Sequence, residues 1–266
     1  MEDNLRFALV NNKRVEATPN LNGLCPGCSQ PVIAKCGERR IPHWAHRTKV
    51  ICDRWWEPET QWHRDWKNSF PEEWQEFIQH DQSGEKHIAD VRNNHGLVIE
   101  FQYSHLDPQE RAIRERFYQN MVWVVDATRL KRDYPRFLKG KSDLRPANIR
   151  GFFLLSFPEE LFPAEWLQSS VPVFFDFRGV APTESLDTTR ELLWCLLPGR
   201  AERSAVVYAL SRKDFVEIAS NEPNLLQNTH VIVSNVAQYI QQMRAVEAIA
   251  TQRYQLPMPR RRFRRF

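Results

Sequence analysis

The chain has no run of about 18 apolar residues, so it offers no membrane-spanning helix. Its first residues, MEDNLRFALVNNKRVEA, lack the basic-then-apolar layout of a secretion signal, which makes the cytoplasm the expected location. Cysteine is scarce beyond residue 52. Of the five, Cys25, Cys28, Cys36 and Cys52 crowd the start, and only Cys195 lies further on. An odd, clustered set in a cytosolic protein argues for metal binding ahead of disulfides. A broad positive field is missing too. The net charge of +4 rests on the last seven residues, RRRFRRF, which hold five Arg; without them 32 basic residues stand against 33 acidic ones. The body is therefore no electrostatic glove for a polyanion, and any such attraction falls to the tail or to local patches. No internal repeat is visible. What is present, 266 residues with 42% hydrophobic and 26% charged content, suits one or two soluble domains.

Local patterns divide the chain. Leu5 to Ala17 alternates around Asn11-Asn12 and predicts a hairpin. Gly23 to Asp53 reads as a loop-rich segment bearing Cys and His. Pro58 to Phe70 predicts a helix, with Pro58 suited to its first position, and Glu72 to His80 a second short one after the break at Pro71. Ile88 to Val91 and Leu97 to Ser104 predict two strands around a His95-Gly96 turn. Asp107 is a good N-cap, with Pro108 at the first helical position and Glu110 placed for a capping box. This helix should run to about Asn120, burying Ile113 and Phe117. Met121 to Val125 is a short apolar strand, so strand, helix and strand suggest a crossover onto a mixed sheet. Arg132 to Arg150 reads as a linker or surface loop. VPVFFDFRG and AVVYALS follow as strands, Ser234 to Tyr254 as a helix, and PMPRRRFRRF as a disordered tail. Trp166, Leu193-Trp194 and Cys195 read as core.

The strand LVIEFQYS carries the chemistry. Its alternation puts Leu97, Ile99, Phe101 and Tyr103 on one face and Val98, Glu100, Gln102 and Ser104 on the other. Asp90 ends the preceding strand, where the hairpin can bring its carboxylate beside Glu100. Two adjacent carboxylates repel unless a cation sits between them or one is protonated. Mg²⁺ or Mn²⁺ suits such an all-oxygen site, with water and phosphate completing the shell. The same spacing also fits a hairpin whose polar face meets solvent.

Upstream, Glu59, His63 and Lys67 stand at i, i+4 and i+8, one polar row on a helix whose Trp62, Trp66 and Phe70 would anchor it to the core. A solvated helix face would show the same row, and Glu57 is an alternative to Glu59. Further back, Cys25-Pro-Gly-Cys28 followed by His43-Trp-Ala-His46 supplies four ligands for a structural tetrahedral Zn²⁺, with Cys36 and Cys52 as competing ligands. Lys35, Arg39, Arg40 and Arg47 lie nearby and are candidates for phosphate contact. The terminal Arg and Phe residues suit nucleic-acid binding by charge plus stacking, or simple solvation.

Taken in order, IADVRNNHGLVIEFQYSHL followed by ER…Y…VWVVD, the Glu–His–Lys helix, and the CP-x-C segment before H-(F/W)-A-H resemble the competence protein CoiA-like family of the PD-(D/E)XK nuclease superfamily. The resemblance spans roughly residues 5 to 220, and its specificity lies in the joint order of the motifs. It implies an α/β fold: a restriction-endonuclease-like mixed sheet flanked by helices, a small N-terminal zinc-binding segment and an α+β C-terminal part. The matching segments are 1–55 for the hairpin and zinc knuckle, 56–131 for the nuclease-like core, 132–254 for the C-terminal region and 255–266 for the tail. By the resemblance, Asp90 and Glu100 match the metal-binding acids and Gln102 the position often held by Lys. Glu59 would help organise the metal, with His63 and Lys67 near the phosphate. The implied activity is Mg²⁺- or Mn²⁺-dependent DNA hydrolysis in DNA processing, competence-linked recombination or defence, with DNA and DNA-processing proteins as partners. A non-catalytic DNA-binding or scaffolding protein that keeps this fold is the alternative, since Gln can hydrogen-bond where Lys would carry charge.

Overall fold

A computed structural model describes residues 4–38, 40–48, 52–55, 57–179, 187–222 and 229–255. The tail and Arg39 lie outside these residues. Two sheets form. The first contains β1 (Asn4–Leu5), β2 (Phe7–Val10), β3 (Lys13–Glu16), β4 (Asn22–Leu24), β5 (Pro31–Lys35) and β6 (His43–His46). Its spatial order is β1-β6-β5-β4-β2-β3, and every pairing is antiparallel. The expected hairpin is β2–β3, where Asn11 and Asn12 both take positive φ, 53° and 61°, as a two-residue primed turn requires. The segment expected to be loop-rich is more regular than that, because β4, β5 and β6 pair across it.

The second sheet has nine strands: β7 (Gln75–His80), β8 (Lys86–Arg92), β9 (Val98–Gln102), β10 (Met121–Asp126), β11 (Arg145–Pro146), β12 (Phe152–Leu155), β13 (Val173–Asp176), β14 (Leu192–Leu196) and β15 (Ala205–Ser211). They lie in the order β11-β12-β15-β14-β13-β10-β9-β8-β7. Only β9–β10 and β10–β13 are parallel, so the sheet is mixed. Helices α1 (Gln61–Lys67), α2 (Pro108–Tyr118), α3 (Asp133–Gly140), α4 (Arg212–Asn221) and α5 (Thr229–Gln255) accompany it. Alternate residues of β10 feed opposite cores. Val122 and Val124 pack with Trp62, Trp66, Phe215 and Val236, from α1, α4 and α5. Trp123 and Val125 pack with Tyr118, Tyr134 and Phe137, from α2 and α3. Helices thus cover both faces, which explains why β10 is buried at every position. No helix among the described residues is long and apolar enough to cross a membrane.

Four expectations change. The first helix starts at Gln61, because the Thr60 side chain caps it and Pro58-Glu59 stay outside. Glu72 to His80 yields one 3₁₀ turn and then β7, since Gln75 to His80 pair with β8 as the edge of an antiparallel meander. Arg132 to Arg150 is no linker: Tyr134 and Phe137 bury one side of α3. In α2, Asp107 caps as expected, but Ile113 is exposed and Glu110 turns to Arg114 of its own helix. The buried side of α2 is instead Arg111, Arg114, Glu115 and Tyr118.

Candidate metal centres

Between β4 and β5 the chain turns tightly, with the Ser29 N–H donating to the Cys25 carbonyl at 2.8 Å and the Gly27 N–H to Cys25 Sγ at 3.3 Å. This knuckle places Cys25 Sγ 3.6 Å from Cys52 Sγ and Cys28 Sγ 3.2 Å from His46 Nε2. Ligand atoms of Cys25, Cys28, His46 and Cys52 all lie within 4.8 Å of one another. A tetrahedral site with Zn–S bonds of about 2.3 Å has S···S edges of about 3.8 Å, so three thiols and an imidazole at these separations fit Zn²⁺. The hydrogen bond with Cys52 and nearby backbone N–H groups hold the Cys25 thiol below its usual range against the effect of burial. The expected His43 is not in the group. It stands three residues from His46 on β6, and a period of two puts such residues on opposite faces. His43 Nδ1 instead donates to the Ile41 carbonyl at 2.8 Å. Cys52 takes its place, while Cys36 stays outside the group and packs with the small core.

The second centre is built on the β8–β9 hairpin. Val91 pairs with Ile99 and Arg92 with Val98. One step further the ladder opens, and side chains replace it. The Asp90 N–H donates to Glu100 Oε1 at 3.2 Å, and the Phe101 N–H donates to Asp90 Oδ2 at 3.0 Å. The two carboxylates therefore share one gap. Glu100 is 6% exposed, and burial, then the charge of Asp90, push its pKa well above the usual carboxylate range. Arg114 Nη1, 3.7 Å from Glu100 Oε2, offsets part of this.

Helix α1 contributes unequally. Lys67, buried at 3% exposure, extends Nζ to within 2.6 Å of Glu59 Oε1, 3.5 Å of Glu76 Oε1 and 3.6 Å of Asp90 Oδ1. Glu59 is gripped by Lys67 and Arg64; burial alone would raise its pKa, but these cations outweigh that and hold it at about 2. His63 Nδ1 accepts from the Thr60 N–H at 3.2 Å, so this ring closes the capping box of α1. Its Nε2 lies 3.2 Å from Glu57 Oε1. Glu57 also accepts from Gln102 Nε2 at 3.0 Å and from the Ser104 hydroxyl. Gln102 is thus turned toward Glu57 and Ser104.

Trp55, Glu57, Glu59, His63, Lys67, Asp90 and Glu100 line a cavity of roughly 70 Å³, and Gln102 is not part of its wall. Glu76 and Arg114 also line it and escaped the sequence reading. Glu76 lay in a segment read as helix. Arg114 stands beside the expected buried pair Ile113 and Phe117, and apolar spacing does not mark a charged residue as an inward one.

The molecule thus combines a small antiparallel sheet carrying a Cys₃His cluster with a large mixed α/β sheet carrying a carboxylate cavity. Residues 10–54 match the family model for the competence protein CoiA, N-terminal domain, and the match takes in Cys25, Cys28, His46 and Cys52 of the cluster. No curated protein and no solved structure matches the chain.

Proposed function

We propose that the chain is a divalent-metal-dependent nuclease that hydrolyses DNA phosphodiesters in the cytoplasm, as part of competence-related DNA processing. The shared gap of Asp90 and Glu100 carries the reading. Hard carboxylate oxygens suit Mg²⁺ or Mn²⁺, and an ion there would relieve the repulsion that now favours a proton on Glu100. Such an ion supplies charge to a phosphate oxygen and makes a bound water acidic. The order α1, β7, β8, β9, α2, β10, with β10 parallel to β9, supports a restriction-endonuclease-like core of the PD-(D/E)XK kind.

The remaining residues take defined parts. Asp90 and Glu100 hold the ion. Lys67 fixes the Asp90 carboxylate and places a buried cation where Gln102 cannot supply one. Glu59 and Glu76 hold Lys67 in position and keep it charged. Gln102, through Glu57, ties β9 to the 57–60 segment and to His63. His63 is assigned to capping and to Glu57 and no longer to the phosphate.

The alternative is a non-catalytic DNA-binding or scaffolding protein. It draws on one observation: the Gln102 amide is committed to Glu57 and Ser104, and Lys67 to three carboxylates. Digestion of plasmid and single-stranded DNA with Mg²⁺ or Mn²⁺ separates the two. Cutting by the wild type that Asp90→Asn and Glu100→Gln each reduce at least a hundredfold is the expected result. DNA binding without cutting under any divalent ion would establish the alternative.

A further inference from the structure

The two centres share a strand and a loop. Strand β8 begins at Lys86, whose Nζ donates to the Gly27 carbonyl at 2.7 Å and lies 3.6 Å from Cys52 Sγ. A Cβ on Gly27 would stand 3.2 Å from Cys52 Sγ and 3.4 Å from Lys86 Nζ, so glycine lets the knuckle, the thiol and the ammonium close together. The next residue, His87, places Nδ1 2.8 Å from Asp53 Oδ1, and the Ile88 N–H donates to Asp53 Oδ2 at 2.7 Å. Three consecutive residues of β8 are thus clamped to Cys52-Asp53 and the knuckle. Two residues further along the same strand stands Asp90.

The loop from Cys52 performs the matching task on the other wall. Asp53 Oδ1 also accepts from the Trp55 N–H at 2.9 Å. Trp55 stacks on His87 at an interplanar angle of 7°, and its carbonyl accepts from Arg114 Nη2 at 2.8 Å. Arg114 is the cation that meets Glu100. Glu57 and Glu59 follow in the same loop and line the cavity. Asp53 and His87 are 8% and 3% exposed, so their contacts are shielded from competing water.

We infer that the Cys25, Cys28, His46 and Cys52 centre is the organising element of the carboxylate cavity, with Lys86, Asp53 and His87 acting as positioning residues. Zinc held by Cys52 would fix the start of the segment that carries Asp53 and Trp55. Lys86 and Asp53 then lock β8 in register against it, setting the distance between Asp90 and the Glu57–Glu59 wall. The small sheet is in this sense a metal-built wall of the cavity. The inference rests on the cavity's role as a divalent-ion site for its consequence, though not for the coupling itself.

The test uses the full chain, loaded with zinc or stripped by a chelator, and follows amide hydrogen exchange by mass spectrometry beside Mn²⁺ binding by electron paramagnetic resonance. Stripping is expected to speed exchange at least tenfold in peptides covering 52–60 and 86–92, leave peptides of β13 to β15 unchanged, and weaken Mn²⁺ binding at least tenfold. Asp53→Ala keeps every zinc ligand. It should retain one zinc per chain and still show the faster exchange and weaker Mn²⁺ binding, and Lys86→Met serves if Asp53→Ala fails to fold. Unchanged exchange in both segments after stripping would overturn the inference, as would native protein that contains no zinc. If the wild type binds no Mn²⁺ at all, the metal-dependent reading of the cavity fails, and the exchange comparison alone decides the coupling.

Discussion

Glu59 shows how much one carboxylate can carry at this site. Its pKa is held at about 2, against 4.5 for the free group, by Lys67 and Arg64. At about 1.4 kcal/mol per unit this is worth about 3 kcal/mol of folding free energy. The sign follows from a depressed acid: the contribution is present above about pH 4.5 and drains away as pH falls toward 2. Glu59→Gln should therefore lose about 3 kcal/mol at pH 7 by urea unfolding and converge with the wild type near pH 2. Equal acid sensitivity of the two proteins would mean that Lys67 and Arg64 find other partners. Lys67 tests the site more directly. Lys67→Met removes the cation while keeping most of the stem, and leaves Glu59, Glu76 and Asp90 facing one another. DNA cleavage should fall at least a hundredfold, whereas Lys67→Arg, too broad and rigid for this pocket, should recover only a small part.

Helix α2 marks the boundary of what sequence periodicity can reveal. Its ends were legible, because Asp107 and Pro108 announce a start through local chemistry. Its buried face was not, because apolar spacing points to Ile113 and Phe117 whereas the inward residues here are mostly charged. Glu115 is nearly enclosed, and its oxygens accept from Arg111, Trp123 Nε1, Ser169 Oγ, and the N–H and hydroxyl of Ser170. That network depends on residues more than 50 positions away, which no local pattern displays. Removing one partner of a buried pair strands the other, so Glu115→Ala should cost about 3–5 kcal/mol. Replacing Arg111 and Glu115 together by Met and Leu spares the stranded guanidinium and should cost less, while the Trp123, Ser169 and Ser170 donors still lose their acceptor. Urea unfolding of the single and double variants checks this, and additive losses would show the pair to be uncoupled. The hairpin of β8 and β9 gives the opposite case. The expected hairpin around His95-Gly96 brought Asp90 beside Glu100, because a tight antiparallel turn fixes the register. The His43 assignment failed because a strand sends residues three apart to opposite faces.

At the scale of the whole molecule, the two sheets are joined by groups that the sequence presents as unremarkable. Glu76 takes a positive φ of 46°, Oε1 accepts from the Arg6 N–H at 2.8 Å, and Oε2 accepts from the Phe7 N–H at 3.2 Å. Arg6 Nη1 donates to Gln75 Oε1 at 2.6 Å, and Arg14 reaches the Glu72 carbonyl at 2.7 Å. One acidic side chain at the edge of the large sheet thus satisfies two backbone donors of the small one while also facing Lys67. Glu76→Ala removes the acceptor of both donors and one neighbour of a buried ammonium. At about 1.5–3 kcal/mol for each of the two charge-assisted bonds, the docked arrangement should lose roughly 3–6 kcal/mol. The large sheet keeps its own cores, so the loss should fall on the junction. Thermal unfolding followed by tryptophan fluorescence should then separate into two steps, and limited proteolysis should cleave between residues 17 and 60 while the rest of the chain resists. A single cooperative transition with an unchanged digestion pattern would show that the sheets are held together chiefly by the Asp53–His87 clamp, and would move the mechanical junction from β7 to β8.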